Sequence, residues 1–178
     1  MPAIRKIALY EPALLTNSAR TAWLTRYDQE IAQGKTAAAL VTCLKGLQLG
    51  GMVLNAIPRR LLESMTNKMM DSEDKKAKKG DVTMRMLAPT LHYDGRLLVE
   101  MTGKLDRFMS LRIESLLLGG NRGLSYLKPV LVALEKGLPN AKRVEFPGLD
   151  HGGACDVSNA NRGGKPDLVA QELRQFFN

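Results

Sequence analysis

Residues 113–153 read IESLLLGGNRGLSYLKPVLVALEKGLPNAKRVEFPGLDHGG. Ile113–Leu118 is a short apolar run closed by Gly119-Gly120, the pattern of a buried strand. Ser125–Leu138 sets Tyr126, Val130, Leu134 and Leu138 on one stripe, the pattern of an amphipathic helix. Ala141–Phe146 is a shorter strand, ended by Pro147-Gly148. Pro166–Phe177 follows as a terminal amphipathic helix carrying Leu168, Val169, Leu173, Phe176 and Phe177. Strand, helix, strand, helix at this spacing predicts parallel pairing through right-handed crossovers.

Outward from this core, Ile4–Tyr10 (IRKIALY) reads as another short strand, and Glu11-Pro12 ends it, because a proline disfavours helix for the residue before it. Helical patterns occupy the stretch between this strand and the next. Ala22–Ala32 carries Trp23, Tyr27 and Ile31 on one side. Lys35–Leu49 is an Ala/Leu helix that stops at Gly50-Gly51. Pro58 opens a further helix, with Leu61, Leu62, Met65 and Met69 on its apolar face. Asp71–Gly80 reads as a polar loop or frayed end, and Tyr93–Phe108 as one helix weakened by Gly103. Connections this long are rare unless they form a lid or small subdomain. The expectation is one domain, residues 1–178, with residues 14–107 as a helical lid-like insertion.

Composition excludes several function classes. The 178 residues are 44% hydrophobic and 25% charged, ordinary for a globular chain. No apolar run reaches the ~20 residues of a membrane span, and the start shows no apolar core of a signal peptide. Two cysteines, Cys43 and Cys155, make neither a disulfide framework nor a metal-ligand spacing, so a reducing, cytoplasmic setting is expected. The net charge of +8 raises nucleic-acid binding. The densest cluster, Lys75, Lys76, Lys78 and Lys79, lies among Asp71, Glu73, Asp74 and Asp81 with no aromatic interleaved, so a solvated basic surface is the preferred reading.

A parallel sheet presents ligands at the carboxyl ends of its strands, which directs attention to Glu11, Asn121 and His151. His151 sits in PGLDHGG, a glycine-flanked loop well placed for proton transfer. Glu11 can orient His151 by accepting its ring N–H, or can simply stabilise the loop. Asn121 reads as the turn residue of GGNRG, and Asp150 as a turn residue beside His151. Asp94 reads as a helix N-cap. His92 has no partner at metal-ligand spacing, so neither metal nor cofactor is expected. Met65, Met69, Met70, Met84 and Met86 fill an irregular core or form a soft substrate wall. Cys155 has no thiolate-stabilising surroundings in sequence. No G-x-S-x-G occurs, and Ser18, Ser64, Ser72, Ser110, Ser115, Ser125 and Ser158 do not sit on a strand–turn–helix elbow.

IRKIALYEPAL, SLLLGGNRG…YLKPVLVALEKGLPNAKRVEFPGLDHGG and GGKPDLVAQELRQFF together resemble the last three strand–helix units of α/β-hydrolase-fold proteins. The resemblance implies a partial α/β-hydrolase fold: a three-stranded parallel sheet with flanking helices, the insertion standing in the place of the lid. It further implies a histidine after the last strand, matched by His151. The acid slot after the seventh strand holds Asn121, a departure from the pattern. Some members, haloalkane dehalogenases among them, place the acid after the sixth strand, where Glu11 stands. The nucleophile elbow has no counterpart, so a truncated, C-terminal half is expected.

The first strand is then an apolar edge, which folded proteins cover. The candidate covers are a twin chain, a complementing N-terminal half or rearranged helices of the insertion, and at least a dimer is expected. Two functional classes follow. One is an enzyme acting on an ester or related small apolar substrate, or a lyase or cyclase using His151 as acid/base. The alternative is a non-catalytic binding or assembly module.

Overall fold

The structure, a computed structural model, describes residues 4–14, 21–49, 51–157 and 161–178, with the backbone alone for residues 51–53. Two of the serines considered above, Ser18 and Ser158, and Gly50 lie outside the described residues. The chain divides into two compact units, one made of residues 1–16 and 101–178, the other of residues 17–100.

The first unit is built on three parallel strands, β1 (Lys6–Tyr10), β2 (Glu114–Gly120) and β3 (Ala141–Phe146), in the order β1-β2-β3. Lys6 to Tyr10 align with Glu114 to Leu118, and Ser115 to Gly120 align with Ala141 to Phe146. β2 is central, and every residue from Ser115 to Gly120 is buried. That explains its continuous apolar run, since both faces are covered. Leu117 packs with Val130, Leu131, Leu134 and Leu138 of the helical segment on one face. Leu116 and Leu118 pack with Phe146, Leu149 and Val169 on the other. Each such side chain contributes ~1.5–3 kcal/mol on burial. β1 lies at one edge, its five residues half-buried.

The covering helices are α7 (Lys128–Gly137) and α8 (Pro166–Phe177). α7 begins three residues later than its apolar stripe suggests. Pro129 stands in its first turn, where a missing N–H costs no hydrogen bond, and sets the start.

The second unit is helical: α1 (Trp23–Ala32), α2 (Thr36–Gly46), α3 (Gly51–Ala56), α4 (Arg59–Lys76), α5 (Met84–Leu87) and α6 (Leu91–Met101). Its core gathers Trp23, Leu24, Tyr27, Ala39 and Cys43. Tyr27 also donates its hydroxyl to the Ala88 carbonyl. A buried carboxylate, Glu30, joins three helices. It accepts from Thr42 Oγ1 at 2.5 Å, Arg26 Nε at 2.8 Å and Arg59 Nη2 at 2.8 Å.

Three expectations need correction. The polar stretch from Asp71 is helical as far as Lys76, because Arg85 bridges Asp71 at 2.6 Å and Asp74 at 2.8 Å. Lys75 and Lys76 also lie in its last turn, where cations oppose the helix dipole favourably. Tyr93–Phe108 is not one helix. α6 ends at Met101, Gly103 adopts a φ of +69°, and a separate 3-10 turn spans Leu105–Phe108. Asp94 therefore lies in the first turn of α6 and is not its cap.

Candidate functional site

Glu11 and His151 meet at the carboxyl end of the sheet. Glu11 is the residue after β1, and its backbone has a φ of +41°, the left-handed region that a non-glycine residue enters at some cost. Its N–H still donates to the Leu118 carbonyl at 2.8 Å, which ties this turn to β2. The side chain is buried. Oε1 accepts the Gly120 N–H at 2.9 Å. Glycines shape the cradle: a Cβ at Gly123 would collide with the Glu11 carboxylate, and one at Gly119 would press on Glu11 Cγ at 3.2 Å.

His151 arrives from the loop after β3. Leu149, fully buried, anchors that loop in the core. The Leu149 carbonyl accepts the Arg122 N–H at 2.9 Å, and Gly120 must lack a Cβ for the two backbones to approach. Asn121 Oδ1 accepts the Gly148 N–H at 2.8 Å, so Asn121 holds the turn and does not reach the imidazole. Asp150 Oδ1 accepts the Gly152 N–H at 2.9 Å, the act of a turn residue.

The His151 ring is half-exposed, and its Nδ1 lies 2.9 Å from Glu11 Oε2. A carboxylate only accepts, so Nδ1 carries the proton and Nε2 presents its lone pair. The hydrogen bond to Glu11 raises the imidazole pKa above its ordinary 6.5. Burial opposes that rise, and the negative charges of Glu11 and Asp150 add to it. A ring held at Nδ1 by a buried carboxylate, with Nε2 free of it, has the geometry that proton transfer requires of a base and its orienting acid.

A residue not considered from sequence also touches this loop. Tyr10 donates its hydroxyl to the Asp150 carbonyl at 2.7 Å. The only signal for it was its place beside Glu11 at the end of a strand. The GGNRG glycines were legible as a turn but not as the cradle of a carboxylate.

The other candidates are placed elsewhere. His92 Nδ1 pairs with Asp28 Oδ1 at 2.8 Å inside the helical unit. Cys155 is exposed. Ser64 and Ser72 lie within α4, and Ser115 is buried in β2. Met65, Met69 and Met84 line a cavity of about 510 Å³ in the helical unit, together with Leu44, Leu54 and Leu62. Met70 is fully buried, and Met86 is exposed.

The structure superposes on a solved α/β hydrolase from Sphaerobacter thermophilus with a TM-score of 0.63, over 98% of this chain, at 22% identity. The chain has part of the α/β-hydrolase fold. It spans 59% of the length of that hydrolase. A provisionally assigned non-heme bromoperoxidase, BpoC, from Mycobacterium tuberculosis aligns over 98% of this chain and 57% of its own, at 13% identity and a TM-score of 0.47. No family model and no curated protein matches the sequence. Glu11 and His151 stand at the carboxyl end of this chain's three-stranded parallel sheet. Among the described residues no helix is long and apolar enough to cross a membrane.

Proposed function

We propose that the chain supplies the acid–base half of a hydrolase-type site. His151 acts as general base and Glu11 holds its tautomer and orientation, on an ester or related small apolar substrate. The observation that carries this reading is the 2.9 Å contact between His151 Nδ1 and a buried Glu11 carboxylate, which leaves Nε2 for the reacting proton. Within the helical unit, a cavity lined by Leu, Val and Met side chains, with Thr66 its one hydroxyl, suits an apolar ligand. The nucleophile comes from another chain, or the chemistry needs no covalent step, as in hydrolysis by a water that His151 activates or in a lyase or cyclase reaction.

Hydrolysis of p-nitrophenyl acetate by the purified chain tests the proposal. His151→Ala should lower turnover ~100-fold or more, and full retention would overturn it. A fluorophosphonate probe addresses the non-catalytic alternative, since labelling of the chain alone would refute it and reveal a nucleophile on this chain.

A second reading rests on β1. Its edge carries KIALY, half-buried, with β2 as its one neighbour among the described residues. In that reading the protein is a non-catalytic binding or assembly module, and β1 pairs with a twin chain or a complementing half. The free thiols Cys43 and Cys155 fit a cytoplasmic setting for either reading. Light scattering at micromolar concentration checks the partner, and a monodisperse monomer counts against it.

A further inference from the structure

Tyr10 and Glu11 are consecutive, yet they hold the His151 loop from opposite faces of the sheet. Tyr10 packs against Leu118, Phe146, Leu149 and Val169, on the face covered by α8. Glu11 packs against Gly119 beside Leu131 of α7. Both still reach the loop, because it closes over the end of the sheet.

The two contacts fall on adjacent units of that loop. The Tyr10 hydroxyl fixes the Asp150 carbonyl, in the peptide immediately before His151. Glu11 fixes the ring of His151 itself. The same Asp150 carbonyl accepts the Gly153 N–H at 3.0 Å, closing a tight turn around His151. Gly153 is pressed onto the phenol: a Cβ there would lie 2.5 Å from Tyr10 Oη. One residue earlier, the Leu149 carbonyl is held by the Arg122 N–H at 2.9 Å. Two successive carbonyls are thus tied down just before the histidine. The Asp150 carbonyl is held by the Gly153 N–H and by the phenol, and only the phenol's tie comes from a side chain that a single substitution can remove. Burial, then the charges of Glu11, Asp150 and Cys155, push the Tyr10 phenol up to about 12, so it remains a donor across the working range.

We infer that Tyr10 is a positioning residue for His151: its hydroxyl sets the backbone from which the imidazole reaches Glu11. The inference rests on the acid–base role proposed above for His151. Tyr10 acts on the pair through the Asp150 carbonyl.

The test compares the wild-type chain with Tyr10→Phe, which keeps the ring in its apolar cluster. The first readout is the His151 Nδ1–H signal and ring titration by NMR, with His92→Gln used to assign the two histidines. The second is p-nitrophenyl acetate hydrolysis, resolved into kcat and KM. Tyr10→Phe should weaken or broaden the Nδ1–H signal, move the ring pKa toward its ordinary value, and lower kcat roughly 3- to 10-fold with KM unchanged. Gly153→Ala, which drives a methyl against the phenol oxygen from the loop side, should give the same NMR signature. It serves as the second variant if Tyr10→Phe does not fold. An unaltered Nδ1–H signal and titration in the folded variant overturn the positioning role, whatever the activity. Activity that survives His151→Ala overturns the catalytic reading instead, and the NMR readout still decides whether Tyr10 sets the geometry of the pair.

Discussion

Glu11 Oε2 lies 2.9 Å from His151 Nδ1, although 140 residues separate the two in sequence. A buried carboxylate and a half-exposed imidazole in this geometry make a pH-dependent pair. The His151 pKa is raised, so the pair's contribution to stability is fully present below the ordinary 6.5 and is lost as pH rises through the folded value. Activity as a base runs the other way, since only neutral imidazole accepts a proton. The pH–rate midpoint should therefore lie above 6.5, and Glu11→Gln should lower it. NMR titration of His151 checks this, and a midpoint indifferent to Glu11→Gln contradicts the pairing.

Gly123→Ala should disturb the site without altering either member of the pair. The added methyl collides with the Glu11 carboxylate, which is buried and already held by the Gly120 N–H. Overpacking of this kind costs ~1–3 kcal/mol. The expected result is a lower denaturation midpoint and a His151 pKa moved back toward its ordinary value. A variant of wild-type stability and titration would show that the cradle has room to relax.

Glu30→Ala should destabilise the helical unit by ~1–3 kcal/mol, because Thr42 loses its acceptor while Arg59 keeps Glu63 and the Ala38 carbonyl. Burial pushes the Glu30 carboxyl up. Hydrogen bonds from Thr42 and Arg26, with the charges of Arg59 and Arg26, outweigh that and hold it below its ordinary 4.5. This stabilisation is present above 4.5 and fades as pH falls through the folded value. Urea denaturation at neutral and acid pH reads both effects. The gap between wild type and Glu30→Gln should narrow on acidification.

Gly46→Ala sets two effects against each other. Alanine gains at most ~1 kcal/mol over glycine in a helix. The methyl would enter space held by the Trp23 Cβ and Cγ, which cannot swing aside as the end of a flexible chain can. Overpacking at ~1–3 kcal/mol wins, so the variant should melt below wild type. Equal or higher stability would mean that α1 shifts to make room.

Local pattern carried much of the fold. β3 and α8 have the limits read from their apolar spacing and their Pro and Gly punctuation. β2 was legible because a central parallel strand needs apolar residues on both faces, as Leu116, Leu117 and Leu118 provide. The end of α4 was not, because its polar last turns depend on Arg85, which lies outside the helix. Gly103 was read as a weak point of a long helix, and its positive φ makes it the break.

The sequence alone determined that a glutamate and a histidine would each follow a parallel strand, since strand period and turn residues are local properties. It left Glu11 divided between orienting His151 and bracing its own loop, and it left His92 without a partner. Only the tertiary structure brought Glu11 to His151 and Asp28 to His92. Strand register, the glycine cradle and the Tyr10 contact decide the first of these pairings. The β1–β2 register, the Gly119 and Gly123 contacts with Glu11 and the Tyr10 contact all join segments more than a hundred residues apart, and no spacing along the chain encodes such an approach.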